Sequence, residues 1–404
     1  MKVSKITLLG HKDHGKSTMM GSMLLATNSV TKERLADAKK TSESLGRKFE
    51  PGFILDSFVE EREKGLTIDT TRAQIKYKDS AFEFIDVPGH EELIKNMISG
   101  ASYASFAILM VSAKSGEGIR PQTKRHIFLS KMMGVNKLIV AVNKMDTIKY
   151  SEAKFDSIRK ELSAFLKKIG FEQRDVTFIP VSAYNAENIA KKSPEMCWYK
   201  GKTVLDTLNA MASKSAPDHS GPTRMILQGF LEGLDGVISG RIVSGKVTKG
   251  QKVFIVPAQK PSTVTKIFVR GKQISSAKSG ENAAVMLSPT PSFEPRGCVM
   301  CGNSDRIIPT DLIEANVFMA EKISKGMKFR FNGNDFICKS VKVNETIDPT
   351  SGASRKGEPK PLEAARMTIT LDRKIPAESF SSTMQLGRFV LYKGNGFAGI
   401  GTIR

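Results

Sequence analysis

Cysteine is scarce in this sequence, four in 404 residues, too few for a disulfide framework. Long apolar runs are missing too: nothing approaches the roughly 18 consecutive apolar residues of a membrane-spanning helix, so no membrane is expected among the partners. Residues 1–10 hold an apolar run too short for a signal peptide and no small-residue cleavage site, so the expected location is cytoplasmic. There is no exact repeat and no long low-complexity tract. Acidic residues are in deficit, with 41 Asp and Glu against 62 Lys and Arg, a net charge of +21. That excess draws polyanions by counterion release, which makes RNA or a ribosome a natural partner, although it also serves solubility. What remains is ordinary globular composition, 40% hydrophobic and 25% charged. At roughly 150 residues per domain the length suggests two or three domains.

The first half alternates apolar runs at 6–9, 82–86, 106–111, 138–142 and 176–181 with helical patterns at 91–99, 122–133 and 152–169. Strands alternating with helices predict an α/β domain, a parallel-rich sheet with helices on both faces. The polar stretch 213–222, rich in Ser and Pro, reads as a linker. Beyond it short strands follow closely, punctuated by Gly236, Gly240, Gly245 and Gly250, the pattern of a small β-barrel. A further boundary near 307–310 is followed by strand-like segments at 314–319, 328–331, 336–343, 365–371 and 387–392, with 348–361 as an exposed loop. The expected units are 1–215, 222–306 and 307–404.

Gly10-His11-Lys12-Asp13-His14-Gly15-Lys16-Ser17 matches the phosphate-loop pattern, after a predicted strand and before a predicted helix. Gly10 and Gly15 let backbone N–H groups turn inward around phosphate oxygens, and the helix N-terminus adds its dipole. Lys16 is expected to neutralise the β- and γ-phosphates and the Ser17 hydroxyl to ligate Mg²⁺. Within the loop His11, Lys12, Asp13, His14 and the following Thr18 are candidate nucleotide contacts, with a structural role open for both histidines. Asp86-Val87-Pro88-Gly89 ends another strand; Asp86 could hold Mg²⁺ through water and Gly89 could present its N–H to the γ-phosphate. Asn143-Lys144-Met145-Asp146 ends a third, where a carboxylate can accept two N–H donors from guanine but finds no such pair on adenine. Ser182-Ala183 ends a fourth and could meet the guanine carbonyl. Four such segments in order, each at a strand's C-terminal end, predict a GTP/GDP site at the sheet edge.

The sequence resembles the translational GTPases of the elongation factor 1-alpha and elongation factor Tu family. The resemblance rests on residues 10–18, on Glu60-Glu61-Arg62-Glu63-Lys64-Gly65-Leu66-Thr67-Ile68-Asp69, on 86–90 with Lys95-Asn96-Met97-Ile98, on 143–146, on Ser182-Ala183 and on Met196-Cys197-Trp198-Tyr199-Lys200-Gly201. It implies a GTPase domain followed by two β-barrels. It implies that Thr67 ligates Mg²⁺ when GTP is bound and that His90 positions the attacking water, so that His90, Lys16 and Thr67 carry the chemistry. Three branches of the family stay open: GTP-dependent delivery of tRNA or a tRNA-like partner to the ribosome, a guanine-nucleotide exchange factor then being a further partner; the GTPase partner of a sulfate adenylyltransferase catalytic subunit; and a release- or rescue-type GTPase. Thr67-Ile68-Asp69-Thr70-Thr71-Arg72 and Phe318-Met319-Ala320-Glu321-Lys322 resemble the second branch.

Cys298-Val299-Met300-Cys301 has the spacing of half a zinc site, but Cys197 and Cys338 stand alone, so packing in the barrel is expected. Trp198 and Tyr199 are expected to pack at the end of the first domain rather than stack on a base.

Overall fold

The computed structural model describes residues 3–44, 46, 48–55, 72–86, 106–213, 220–324 and 326–404. The predicted helix 91–99 lies outside them, as do Thr67, Gly89 and His90. The first unit is built on a six-stranded sheet. Its strands are β1 (Val3–Gly10), β2 (Arg72–Tyr77), β3 (Ser80–Asp86), β4 (Phe106–Ser112), β5 (Lys137–Asn143) and β6 (Val176–Pro180), in the order β2-β3-β1-β4-β5-β6. β2 pairs antiparallel with β3, and all other neighbours are parallel.

Every residue of β4 is buried, as a central strand covered on both faces requires. The sheet separates two apolar layers. On one side Ile6, Leu8, Phe82, Phe84 and Met110 pack with Met19, Met20 and Met23 of α1 (Lys16–Ala26), Ala38 of α2 (Lys32–Ser44), and Leu205 and Leu208 of a later helix, Val204–Ser213. On the other, Leu9, Leu109, Leu138 and Val140 pack with Ile127 of α3 (Pro121–Met132) and Phe155, Leu162 and Phe165 of α4 (Glu152–Lys168). Local chemistry sets these helix ends. Pro121 opens α3 at a position that needs no N–H. Ser151 caps α4 by accepting from Lys154 N–H at 3.4 Å, and Lys167 and Lys168 lie at the negative end of its dipole. The expected helices 122–133 and 152–169 thus shift by one residue at most.

Residues after 220 form two closed six-stranded antiparallel barrels. In the first, Lys252–Val256, Val299–Gly302, Arg224–Phe230, Val237–Ser244, Asn282–Ser288 and Lys260–Val269 pair in ring order, and the last closes on the first. In the second the ring is Lys328–Phe331, Arg388–Lys393, Gly396–Ile403, Thr310–Met319, Ala364–Ile375 and Asn334–Ile347. Closure removes the exposed sheet edges that invite aggregation. The loop expected over 348–361 contains a two-residue strand, Ser354–Arg355, paired with Thr346 and Ile347. Cys298 and Met300 pack toward the first barrel's core while Val299 and Cys301 join the apolar cluster of the second. Burial pushes the Cys298 thiol up to about 11 and raises that of Cys301, the state of packed thiols rather than reactive thiolates.

Candidate functional site

β1 lies between β3 and β4, so the chain leaves its C-terminal end at the point where the strand order reverses, the crevice where open α/β sheets bind ligands. The phosphate loop occupies that crevice. Gly10 has φ 138°, and a Cβ there would stand 2.6 Å from the Met110 carbonyl oxygen of β4. His11 is extended, Lys12–His14 makes one 3-10 turn, and Gly15 turns left-handed (φ 85°) to start α1. Only glycine adopts these two conformations cheaply. Lys16 is buried at 7% exposure with Nζ donating to the carbonyls of Gly10 (3.0 Å) and His11 (3.1 Å), so its ammonium sits inside the curl of the loop. Ser17 is exposed in the first turn of α1, followed by the half-buried Thr18. The His11 ring lies 5.4 Å from the His14 ring and 3.9 Å from the Asp13 carboxylate. His14 is 1% exposed and its Nδ1–H donates to the Met110 carbonyl at 3.1 Å. Burial pushes this imidazole down from 6.5 to about 4, against the hydrogen bond from Nδ1. His14 is therefore a neutral pin between the loop and β4.

The segments after β5 and β6 converge on the same loop. Asn143 Nδ2 donates to the His14 carbonyl at 2.9 Å, and Asn143 Oδ1 accepts the Ala183 N–H at 2.9 Å. One amide thus locks the phosphate loop, the end of β5 and the segment after β6 together. Lys144 has φ 64°, a left-handed bend that opens the 3-10 turn Met145–Ile148 and presents Asp146. The Ser182 hydroxyl donates to Asp146 Oδ1 at 2.6 Å and fixes the carboxylate. Ser22 of α1 donates to the Ala183 carbonyl. Asp86, at the end of β3, is in register with Leu8 two residues before Gly10, which puts its backbone beside the phosphate loop.

The structure brings together His11, Asp13, His14, Gly15, Lys16, Ser17, Thr18, Asn143, Lys144, Asp146, Ser182 and Ala183, with Lys12 and Asp86 placed by their backbones. Two supports escaped sequence reading. Glu117, in the loop after β4, accepts from Lys144 Nζ at 2.7 Å, and its flanking Gly116 and Gly118 were the available signal. Trp198 packs on Phe155 at 5.4 Å between centroids, as expected, and also donates Nε1–H to the Tyr150 carbonyl at 3.1 Å, closing the turn that carries Asp146. A second concavity, about 630 Å³, opens on the first barrel, where Leu231, Leu234, Phe268 and Met286 meet Asp235 and Arg270.

Comparison with known proteins decides the family. The description "Elongation factor Tu GTP binding domain" matches residues 1–218, more than half of the chain. The chain belongs to the elongation factor Tu family of translational GTPases. "Elongation factor Tu domain 2" matches residues 235–301 and "GTP-eEF1A C-terminal domain-like" matches 313–404, so both barrels of this GTPase also have counterparts in the family. Elongation factor 1-alpha of Methanoculleus marisnigri is 35% identical over 400 residues, covering 96% of this chain and 93% of the relative. Those of Methanosphaerula palustris (33% over 399 residues, 96% and 93%) and Picrophilus torridus (34% over 402 residues, 96% and 94%) are similar. These names favour the elongation-factor branch over sulfate activation. As a family member the chain binds guanine nucleotide and hydrolyses GTP. Among the described residues no helix is long and apolar enough to cross a membrane.

Proposed function

We propose that this GTPase delivers aminoacyl-tRNA, or a tRNA-like ligand, to the ribosome in the cytoplasm, its GTP form holding the ligand and its GDP form releasing it. The observation that carries the reading is the likeness to elongation factor 1-alpha over 96% of the chain, which includes both barrels and not the nucleotide domain alone. The net charge of +21 suits an RNA ligand. The cavity on the first barrel, largely apolar with Lys266, Arg270 and one carboxylate, Asp235, at its walls, suits an aminoacyl end. The working units are 1–215, 222–306 and 307–404.

In the nucleotide cycle the N–H groups of the phosphate loop and Lys16 hold the phosphates. Ser17, Thr67 and Asp86 would hold Mg²⁺ through oxygen, and the ion would neutralise charge developing on the transferred phosphoryl group. Asn143, Lys144, Asp146, Ser182 and Ala183 hold the guanine, and Gly89 meets the γ-phosphate. His90 orients the attacking water when the ribosome is engaged, which keeps hydrolysis slow until it is triggered. A base pocket locked by so many internal bonds releases GDP slowly, which is the reason to expect an exchange factor as a partner.

Filter binding of aminoacyl-tRNA to the Mg²⁺-loaded protein tests the reading. Tight binding with GTP, much weaker binding with GDP and a steep decline with added salt are expected; equal affinity in both forms excludes it. His90→Ala is expected to leave nucleotide affinity intact while lowering ribosome-stimulated hydrolysis by about two orders of magnitude, the scale of a lost positioned catalytic group. An unchanged stimulated rate removes His90 from that role.

A further inference from the structure

Glu117 belongs to none of the nucleotide motifs. It sits in the loop after β4 between Gly116 and Gly118, both at positive φ (82° and 47°), so the backbone there turns sharply to present it. Its Oε2 accepts from Lys144 Nζ at 2.7 Å, and Lys114 Nζ stands 3.6 Å from its Oε1. The same loop is tied to the end of β5 a second time, where Ala113 N–H donates to the Asn143 carbonyl at 2.8 Å. Burial raises the Glu117 carboxyl, but the hydrogen bonds from Lys144 and Ser112 and the lysine charges outweigh it and hold the group at about 2. Its negative charge also reaches His14 of the phosphate loop. One carboxylate therefore stands at the meeting of the β4, β5 and phosphate loops.

Lysine is among the side chains with most rotamer freedom to lose when a ligand holds it. A lysine already fixed by a charged hydrogen bond has lost that freedom before the ligand arrives. We propose that Glu117 is a positioning residue of the nucleotide site, holding Lys144 in the conformation in which it closes over bound nucleotide and so slowing nucleotide release. The inference rests on the reading of Asn143, Lys144 and Asp146 as the base-contacting set. Because Asp146 and not Lys144 reads the exocyclic amine of guanine, Glu117 acts on GDP and on IDP alike.

The test is the dissociation rate of fluorescently labelled GDP and IDP from the full-length Mg²⁺-loaded protein, chased with unlabelled nucleotide. Glu117→Gln is expected to speed the release of both by about tenfold, the scale of one charge-assisted hydrogen bond. Glu117→Asp, which keeps the charge on a shorter stem, falls between. In a Lys144→Met background Glu117→Gln adds nothing. A role confined to holding the loop's shape would speed release equally in both backgrounds, and that result, like an unchanged rate in the single variant, overturns the proposal. Absence of GDP binding by the unsubstituted protein overturns the nucleotide site itself and this proposal with it.

Discussion

At the scale of single residues, two groups in the site owe their behaviour to opposite causes. In the proposed base site Asp146 works through its charge, and one of its two acceptor oxygens is steadied by the Ser182 hydroxyl. Asp146→Asn replaces an acceptor by a donor, so guanine is left with an unpaired N–H. Calorimetry should show GDP affinity falling roughly 100-fold and XDP binding restored, because a mismatched buried hydrogen bond costs a few kcal/mol. His14 works by staying neutral. Folded, its imidazole titrates at about 4; unfolded, near 6.5. Between those values the unfolded chain binds the proton and the folded one does not, so stability is full above pH 6.5 and falls as the pH drops toward 4. The loss should be about 2 kcal/mol at pH 5 and roughly 3 kcal/mol once both states are protonated. Urea unfolding at pH 7 and pH 5, followed by the fluorescence of Trp198, the one tryptophan of the chain, measures it. His14→Gln should erase the part of the difference that His14 causes.

At the scale of elements, the site is an interlock of loops rather than a set of separate motifs. Gly15 turns left-handed against Asn143, and a Cβ there would strike Asn143 Nδ2, the atom that donates to the His14 carbonyl. Gly15→Ala should therefore unlock the phosphate loop and the base loop together, lowering affinity for both GDP and inorganic pyrophosphate by at least about tenfold; loss of GDP affinity alone would show that the two loops act independently. The same scale explains what was readable. The short apolar runs at 6–9, 82–86, 138–142 and 176–181 form the ends of β1, β3, β5 and β6, and each phosphate or base motif begins where such a run stops, so sequence placed them at one edge. Arg72–Tyr77 and Gly396–Ile403 were not singled out. The first is an edge strand in which Ala73 and Ile75 are buried while Gln74 and Lys76 are exposed, a short alternation that carries little signal. The second contains Gly399 and Gly401, poor strand formers chosen because the Phe389 ring packs where a Gly401 side chain would be.

At the scale of the molecule, the two barrels share one buried cation. Arg224 of the first barrel, 5% exposed, donates through Nε and Nη2 to Glu378 Oε1 of the second at 3.0 and 2.6 Å, and through Nη1 to Asp305 Oδ2 at 3.4 Å. Around it, Val256, Val299 and Cys301 of the first barrel join the second barrel's apolar cluster. Arg224→Ala strands the Glu378 carboxylate without its partner, and breaking a buried pair in this way costs about 3–5 kcal/mol. Calorimetric unfolding should then split the barrels into two transitions; a single unshifted transition would show that the apolar contacts suffice. Charge acts over the whole surface. With 21 net positive charges, RNA affinity should fall linearly with salt on logarithmic axes, with a slope that counts the phosphates neutralised.

Chemistry that is local along the chain could be read without a fold: a glycine that must turn, a lysine for phosphate, a carboxylate for guanine, apolar runs that must be buried. Those demands act between neighbours or on one residue at a time, and they predicted the GTPase domain, the barrels and the nucleotide motifs. The bonds from Asn143 to His14 and Ala183, from Glu117 to Lys144 and from Arg224 to Glu378 join residues 129, 40, 27 and 154 positions apart. Contacts at such separations leave no periodic trace in sequence, because their distance is set by how strands pair and layers stack. They exist only once the sheet and barrels have closed.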